Sequence, residues 1–209
     1  ELLAMIGPNG AGKTTCFNMV NGQFAPDSGS IDLLGRSLRG KSPRAICRHG
    51  VGRTFQITAA FGSMSVRENV QVALLAHARG LGSLISSLSE SSRQEAGRLL
   101  EQVGMDSLSE LPCAELAYGD LKRVELAMAL ASRPRLLLMD APTAGMAAAE
   151  RDELMQLTAN LARDANLAVL FTEHDMEVVF RHADRVIVLS AGELIAQGTP
   201  AEVRSDAQV

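Results

Sequence analysis

The stretch "LLAMIGPNGAGKTT", Leu2 to Thr15, decides the fold. Five apolar residues, Leu2 to Ile6, read as a short buried strand that stops at Gly7. The loop after it fits the pattern G-x-x-x-x-G-K-[ST] at Gly7, Gly12, Lys13 and Thr14. Glycines let backbone N–H groups curl around phosphate, a lysine neutralises phosphate charge, and the hydroxyl of Thr14 can ligand a divalent cation. A helix is predicted from about Thr14 to Asn21, with Gly22 as its stop, and its N-terminus adds a favourable dipole. Asn9, Gly10, Ala11, Gly12, Lys13, Thr14 and Thr15 are therefore the candidate nucleotide-binding residues. The chain opens in mid-strand at Glu1, which predicts natural N-terminal strands upstream of this sequence.

A phosphate loop needs a partner acid for its metal, and "LLLMDAPTAGM", Leu136 to Met146, supplies one. The apolar strand Leu136–Met139 delivers Asp140 to its end, directly or through water onto Mg²⁺. Around these two strands the pattern alternates. Ile31 to Leu34 and Val51 to Gln56 read as extended, with a short helix opened by Ser42-Pro43 between them. Leu121 to Ser132 and Glu150 to Asp164 read as helices, Ala168 to Thr172 as a strand, and Met176 to His182 as a short helix. "SAGE" joins a hairpin of Arg185–Leu189 and Leu194–Ala196. "TPAE" at Thr199 to Glu202 starts a last helix. Strands alternating with helices imply an α/β fold with mostly parallel strands.

The middle of the chain differs. "SVRE" at Ser65–Glu68 and "SRQE" at Ser92–Glu95 are capping boxes, each predicting a helix. Residues 57–118 thus read as a helical subdomain inserted between 1–56 and 119–209, which form the nucleotide-binding core.

Composition narrows the classes. The 209 residues are 46% apolar and 3% aromatic, which suits stacked helices on a parallel sheet. A net charge of −4, from 20 basic and 24 acidic residues, argues against nucleic acid as the main partner. Cys16, Cys47 and Cys113 have no metal spacing and read as small buried hydrophobes in a reducing compartment. No apolar run approaches the ~20 residues of a membrane span.

In this order the motifs resemble the ATP-binding subunits of ABC transporters. "GPNGAGKTT" resembles their phosphate loop, "GRTFQ" their glutamine loop ending at Gln56, and "LAYGDLKR", from Leu116, their signature. "LLLMDAPTAGM" is similar to their Walker B strand and following loop, and "FTEHD" to their switch segment. The tyrosine in the signature and "AGM" resemble the subunits of branched-chain amino acid importers, or relatives handling urea and short amides. The resemblance implies a P-loop NTPase with a RecA-like parallel sheet and an inserted helical subdomain, using ATP and Mg²⁺. It implies Thr14, Gln56 and Asp140 at the metal, and His174 at the γ-phosphate. It implies that Leu116, Ala117, Tyr118, Gly119 and Asp120 close over ATP held by a second subunit, in a homodimer or heterodimer. Membrane-spanning permease subunits would dock on 57–118 and hold the chain on the cytoplasmic face of the membrane. The family's adenine-stacking aromatic would lie upstream of Glu1.

Three departures stand out. Ala117 replaces the signature serine and removes a hydroxyl donor. Asp120 replaces a glutamine and brings an anion near phosphate, where it must face away or cap the helix. Ala141 stands where the family has the glutamate that activates water, a role worth about 10²–10⁴ in rate. Glu173 is the nearest acid in sequence to His174, and the candidate for rescue. "GMAAAE" also places three alanines, Ala147 to Ala149, after the loop. The sequence therefore predicts Mg·ATP binding with slow hydrolysis. A non-hydrolysing regulatory partner in a heterodimer is the alternative; a soluble ABC ATPase acting on nucleic acid or ribosomes is a third.

Overall fold

The computed structural model describes residues 1–54, 60–77 and 90–206. Strand β1 (Leu2–Ile6) runs through the phosphate loop into helix α1 (Lys13–Val20). A small antiparallel hairpin, β2 (Asp32–Leu33) with β3 (Arg36–Ser37), precedes α2 (Pro43–Arg48) and β4 (Val51–Arg53). Among the described residues, the α-helices α3 (Val66–His77), α4 (Glu90–Gln102) and α5 (Tyr118–Leu130) follow. Then β5 (Leu136–Asp140), α6 (Ala148–Asp164), β6 (Ala168–Thr172) and α7 (Met176–His182) alternate. The hairpin β7 (Arg185–Ser190) and β8 (Glu193–Gly198) ends in α8 (Pro200–Ser205).

The main sheet has the order β4-β5-β6-β1-β7-β8. Its first five strands are parallel and β8 is antiparallel to β7. Parallel strands covered on both faces read as continuous apolar runs, and side-chain alternation explains how "LLLM" serves both. Leu138, Leu170, Met5 and Val51 face Phe17 of α1 and Ile46 of α2. Leu137, Met139, Val169 and Phe171 face the larger core built by the other helices. In that core Val66, Val70, Leu99 and Leu100 of α3 and α4 pack with Val124, Leu126 and Ala127 of α5. Strand β6 lies between β1 and β5, so the C-terminal ends of these three strands line up on one edge. That edge is where ligands bind in open parallel sheets.

Local chemistry sets the helix starts. Ser65 Oγ accepts from the Glu68 N–H at 3.2 Å, and Glu68 Oε2 accepts from the Ser65 N–H at 2.8 Å. The second predicted capping box does not form. Ser92 lies inside α4, which already includes Glu90. Its hydroxyl accepts instead from Gln71 Nε2 of α3 at 3.1 Å. Thr199 and Glu202 make the reciprocal cap predicted for the last helix. Helix α5 starts at Tyr118 rather than Leu121, with Ala117 as its N-cap and no side-chain cap bond. Apart from one bridge between Ser65 and Pro112, residues 60–77 and 90–117 make no strand pairing.

Candidate active site

The phosphate loop is closed by its own backbone and by its lysine. Gly7 has φ +147, and a Cβ there would lie 2.1 Å from the carbonyl oxygen of Leu189, so β7 leaves no room for a side chain. Gly12 (φ +102) is the N-cap of α1. The Ala11 N–H donates to the Pro8 carbonyl at 3.1 Å, and the Ala11 carbonyl accepts from Gly192 N–H in the β7–β8 turn at 3.1 Å. Lys13 Nζ donates to the carbonyls of Gly7 at 2.6 Å and Pro8 at 3.0 Å. An ammonium has three protons, so the lysine spans the loop and keeps one for an anion.

A pocket of about 230 Å³ opens above this loop, lined by Asn9, Gly10, Gly12, Lys13, Thr14 and Thr15. Asp140, Ala141, Thr172 and His174 line it from the ends of β5 and β6. Ala11 is buried and outside the lining, its backbone committed to Pro8 and Gly192. Gln56 lies outside the described residues.

The carboxylates have different jobs. Register pairs Asp140 with Thr172, and Thr172 Oγ1 donates to Asp140 Oδ1 at 2.7 Å. The same hydroxyl accepts from the Ala141 N–H at 3.0 Å, beside a backbone bond from that N–H to the Thr172 carbonyl at 3.1 Å. These bonds hold Ala141 at φ +46, a left-handed conformation that is costly for a residue with a Cβ. Glu173 is 4% exposed and is spent elsewhere. Its Oε1 accepts from Thr143 N–H at 2.8 Å and Thr143 Oγ1 at 2.7 Å, and Oε2 accepts from His174 N–H at 3.2 Å. It braces the loop after β5 and is absent from the pocket lining.

Next to His174, Asp175 caps α7 by accepting from the N–H groups of Glu177 and Val178. It also pairs with Arg151, whose Nε donates to the Met146 carbonyl at 2.8 Å. Partial burial works against ionisation of Asp175, but the Val178 and Glu177 N–H groups and the Arg151 guanidinium together hold its carboxyl below the usual carboxylate range.

The family model described as ABC transporter matches residues 1–144. The chain belongs to the ABC transporter family. It is 38% identical to the high-affinity branched-chain amino acid transport ATP-binding protein BraF of Pseudomonas aeruginosa, across 100% of this chain and 85% of that protein. It is 37% identical to LivG of Escherichia coli (strain K12), named likewise as a high-affinity branched-chain amino acid transport ATP-binding protein, with the same coverage. Among solved structures, a nucleotide-free ATP-binding cassette from an ABC transporter aligns with a TM-score of 0.88 at 27% identity, over 100% of this chain and 86% of that one. The ADP conformation of an ATP-binding cassette aligns with a TM-score of 0.89 at 27% identity, over 100% and 85%. The P-loop NTPase α/β fold is thus shared throughout.

In this member of the ABC transporter family the signature-like residues sit at the start of α5, outside the pocket lining. Leu116 packs on the larger core, and Tyr118 is exposed with Lys122 Nζ 5.4 Å from its ring centre. Asp120 lies in the first turn of α5. Gly119 faces Glu150, and Gly145 faces the Tyr118 ring, so α5 and α6 begin against each other. Glu150 Oε2 accepts from the Ala147 N–H at 3.1 Å, but alanine cannot return the bond, so only half of a capping box is made.

The donor set suits Mg²⁺. Thr14 and Asp140 offer one hydroxyl and one carboxylate to the same pocket. Mg²⁺ is usually held by one or two carboxylates together with substrate phosphates and waters, not by an all-protein cage. No cluster of three or more His, Cys, Asp or Glu is found among the described residues. Sequence reasoning missed Thr172, which lines the pocket and donates to Asp140. Thr172 was within reach: it ends a strand as Asp140 does, and an alcohol at such an end is a natural partner for a carboxylate.

Proposed function

We propose that this chain is the ATP-binding subunit of an ABC importer for branched-chain amino acids or related small polar solutes, and that it binds Mg·ATP but cleaves it slowly. One observation carries the reading: a phosphate loop and a metal-side aspartate face each other across one pocket, and the position beside the aspartate holds Ala141. The names and identity of the curated relatives support the transport reading.

The chain's own groups would act as follows. Loop N–H groups and the spare proton of Lys13 bind the β- and γ-phosphates. Thr14 and Asp140 would hold Mg²⁺, whose charge would neutralise that on the phosphate oxygens. His174, at the pocket rim, meets the γ-phosphate. No side chain at position 141 orients or deprotonates water, so closure around ATP outlasts the wild-type cycle of a glutamate-bearing relative. Two copies, or this chain and a glutamate-bearing partner, would sandwich the nucleotides, with Leu116 to Asp120 reaching the partner's ATP. The segment 57–118 would dock permease subunits and keep the core, 1–56 and 119–209, on the cytoplasmic side of the membrane. Among the described residues no helix is long and apolar enough to cross a membrane.

A regulatory subunit in a heterodimer is the second reading, favoured by alanine at both 141 and 117. Calorimetric titration of ATP with Mg²⁺ tests the common core of both: saturable binding is expected, and absence of binding would overturn them. Co-purification with a glutamate-bearing cassette, rather than as a homodimer, selects the second.

A further inference from the structure

Arg53 takes no part in lining the pocket, yet it touches the residue on which metal binding depends. Its side chain leaves β4 and is 12% exposed, and one terminal nitrogen stands 3.6 Å from Asp140 Oδ2. The other terminal nitrogen donates to Asn18 Oδ1 at 2.8 Å. The guanidinium carbon lies 5.9 Å from the ring centre of Phe17. Asn18 and Phe17 both belong to α1, the helix that opens at the phosphate loop. Among the described residues Nε is buried without a hydrogen-bond partner, a costly arrangement that persists where other forces fix the group. One arm of a planar fork is thus anchored to α1, and the other is aimed at the metal-side carboxylate.

Both oxygens of Asp140 are engaged, Oδ1 by Thr172 and Oδ2 by Arg53. An incoming Mg²⁺ needs one of them, directly or through water. A guanidinium at that carboxylate repels the ion and competes for the same charge. We propose that Arg53 is a positioning residue: it neutralises and holds Asp140 before metal arrives, and Mg²⁺ has to displace it. It therefore sets the Mg²⁺ concentration at which the site fills. This rests on the Mg·ATP reading above. Arg53 is also three residues before Gln56 in the chain, on the edge strand of the sheet.

The test titrates ATP into the whole chain at graded free Mg²⁺ and again in excess EDTA. Arg53→Gln lowers the half-saturating Mg²⁺ by about three- to tenfold, the effect expected for removing one nearby, partly screened charge. ATP affinity in EDTA stays the same. Arg53→Lys retains the charge and stays near the wild-type Mg²⁺ requirement. If Arg53→Gln does not fold, Arg53→Met keeps the packing on Phe17 and carries the same comparison. An unchanged or raised Mg²⁺ requirement overturns the proposal. So does weaker ATP binding in EDTA, which would place Arg53 on phosphate. Wild-type chain that binds no ATP under any condition overturns the nucleotide reading itself, and this proposal with it.

Discussion

The loops that follow β1 and β5 meet at one pocket but are built from different material. After β1, the groups proposed to bind phosphate are backbone N–H groups arranged by Gly7, Gly10 and Gly12, and Lys13 closes the loop on its own carbonyls. After β5, the work falls to side chains: Asp140 held by Thr172, and Glu173 holding Thr143. A backbone cradle tolerates drift at the residues between its glycines. A side-chain constellation is broken by one substitution, and on the function proposed above Ala141 is such a substitution. That reading makes binding and cleavage separable, and each loop can be attacked without the other.

Lys13→Ala strikes the first loop hardest. It removes the positive charge and the spare donor proposed to meet phosphate, and ATP affinity falls by about 100-fold or more, equivalent to about 3 kcal/mol; titration calorimetry reads this directly. On the other side, Glu173→Ala leaves Thr143 and the His174 N–H without their buried acceptor. Stability drops by about 2–4 kcal/mol in denaturant unfolding, while single-turnover cleavage changes less than about tenfold, the lower range of loss of a general base being larger. A bigger kinetic loss would make Glu173 a base after all and dissolve the contrast. Ala117→Ser adds the hydroxyl missing from the α5 N-cap and stabilises the fold by about 1 kcal/mol; no gain would mean that the cap conformation at Ala117 does not accept a side-chain bond.

The smallest effect concerns the hinge between the β5 loop and α7. Asp175 has a depressed folded-state pKa, so its contribution to stability is present above the ordinary carboxylate value. It is lost as pH falls through the depressed one. The melting-temperature gap between wild type and Asp175→Asn is widest near neutrality and closes below about pH 4. A gap that persists in acid would assign the effect to capping geometry instead of charge.

Much of the fold was legible because its signals are local. Leu2–Ile6, Ala168–Thr172 and Met176–His182 are bounded by glycine, a polar turn and an Asp cap, and they occur at those limits. The start of α5 was misplaced because Ala117 and Tyr118 carry no capping signal. Ser92–Glu95 has the letters of a capping box but lies inside a helix that already includes Glu90. The phosphate loop is contiguous, so sequence alone assembles it. The β5 side is not: Arg53, Asp140 and Thr172 come from three strands, Glu173 directly follows the third, and only the sheet order brings them together. Glu173 shows the limit most clearly. Adjacent to His174 in sequence, it points its carboxylate to Thr143 and away from the lining.

On the proposed function, nucleotide binding is intact and the group that activates water is missing. Single-turnover cleavage of ATP with Mg²⁺, compared between the wild-type chain and Ala141→Glu at matched ATP occupancy, decides the matter. ATP affinity is expected to stay within a few-fold and the rate to rise by at least about 100-fold in Ala141→Glu. Equal rates in the two proteins would overturn the proposed function.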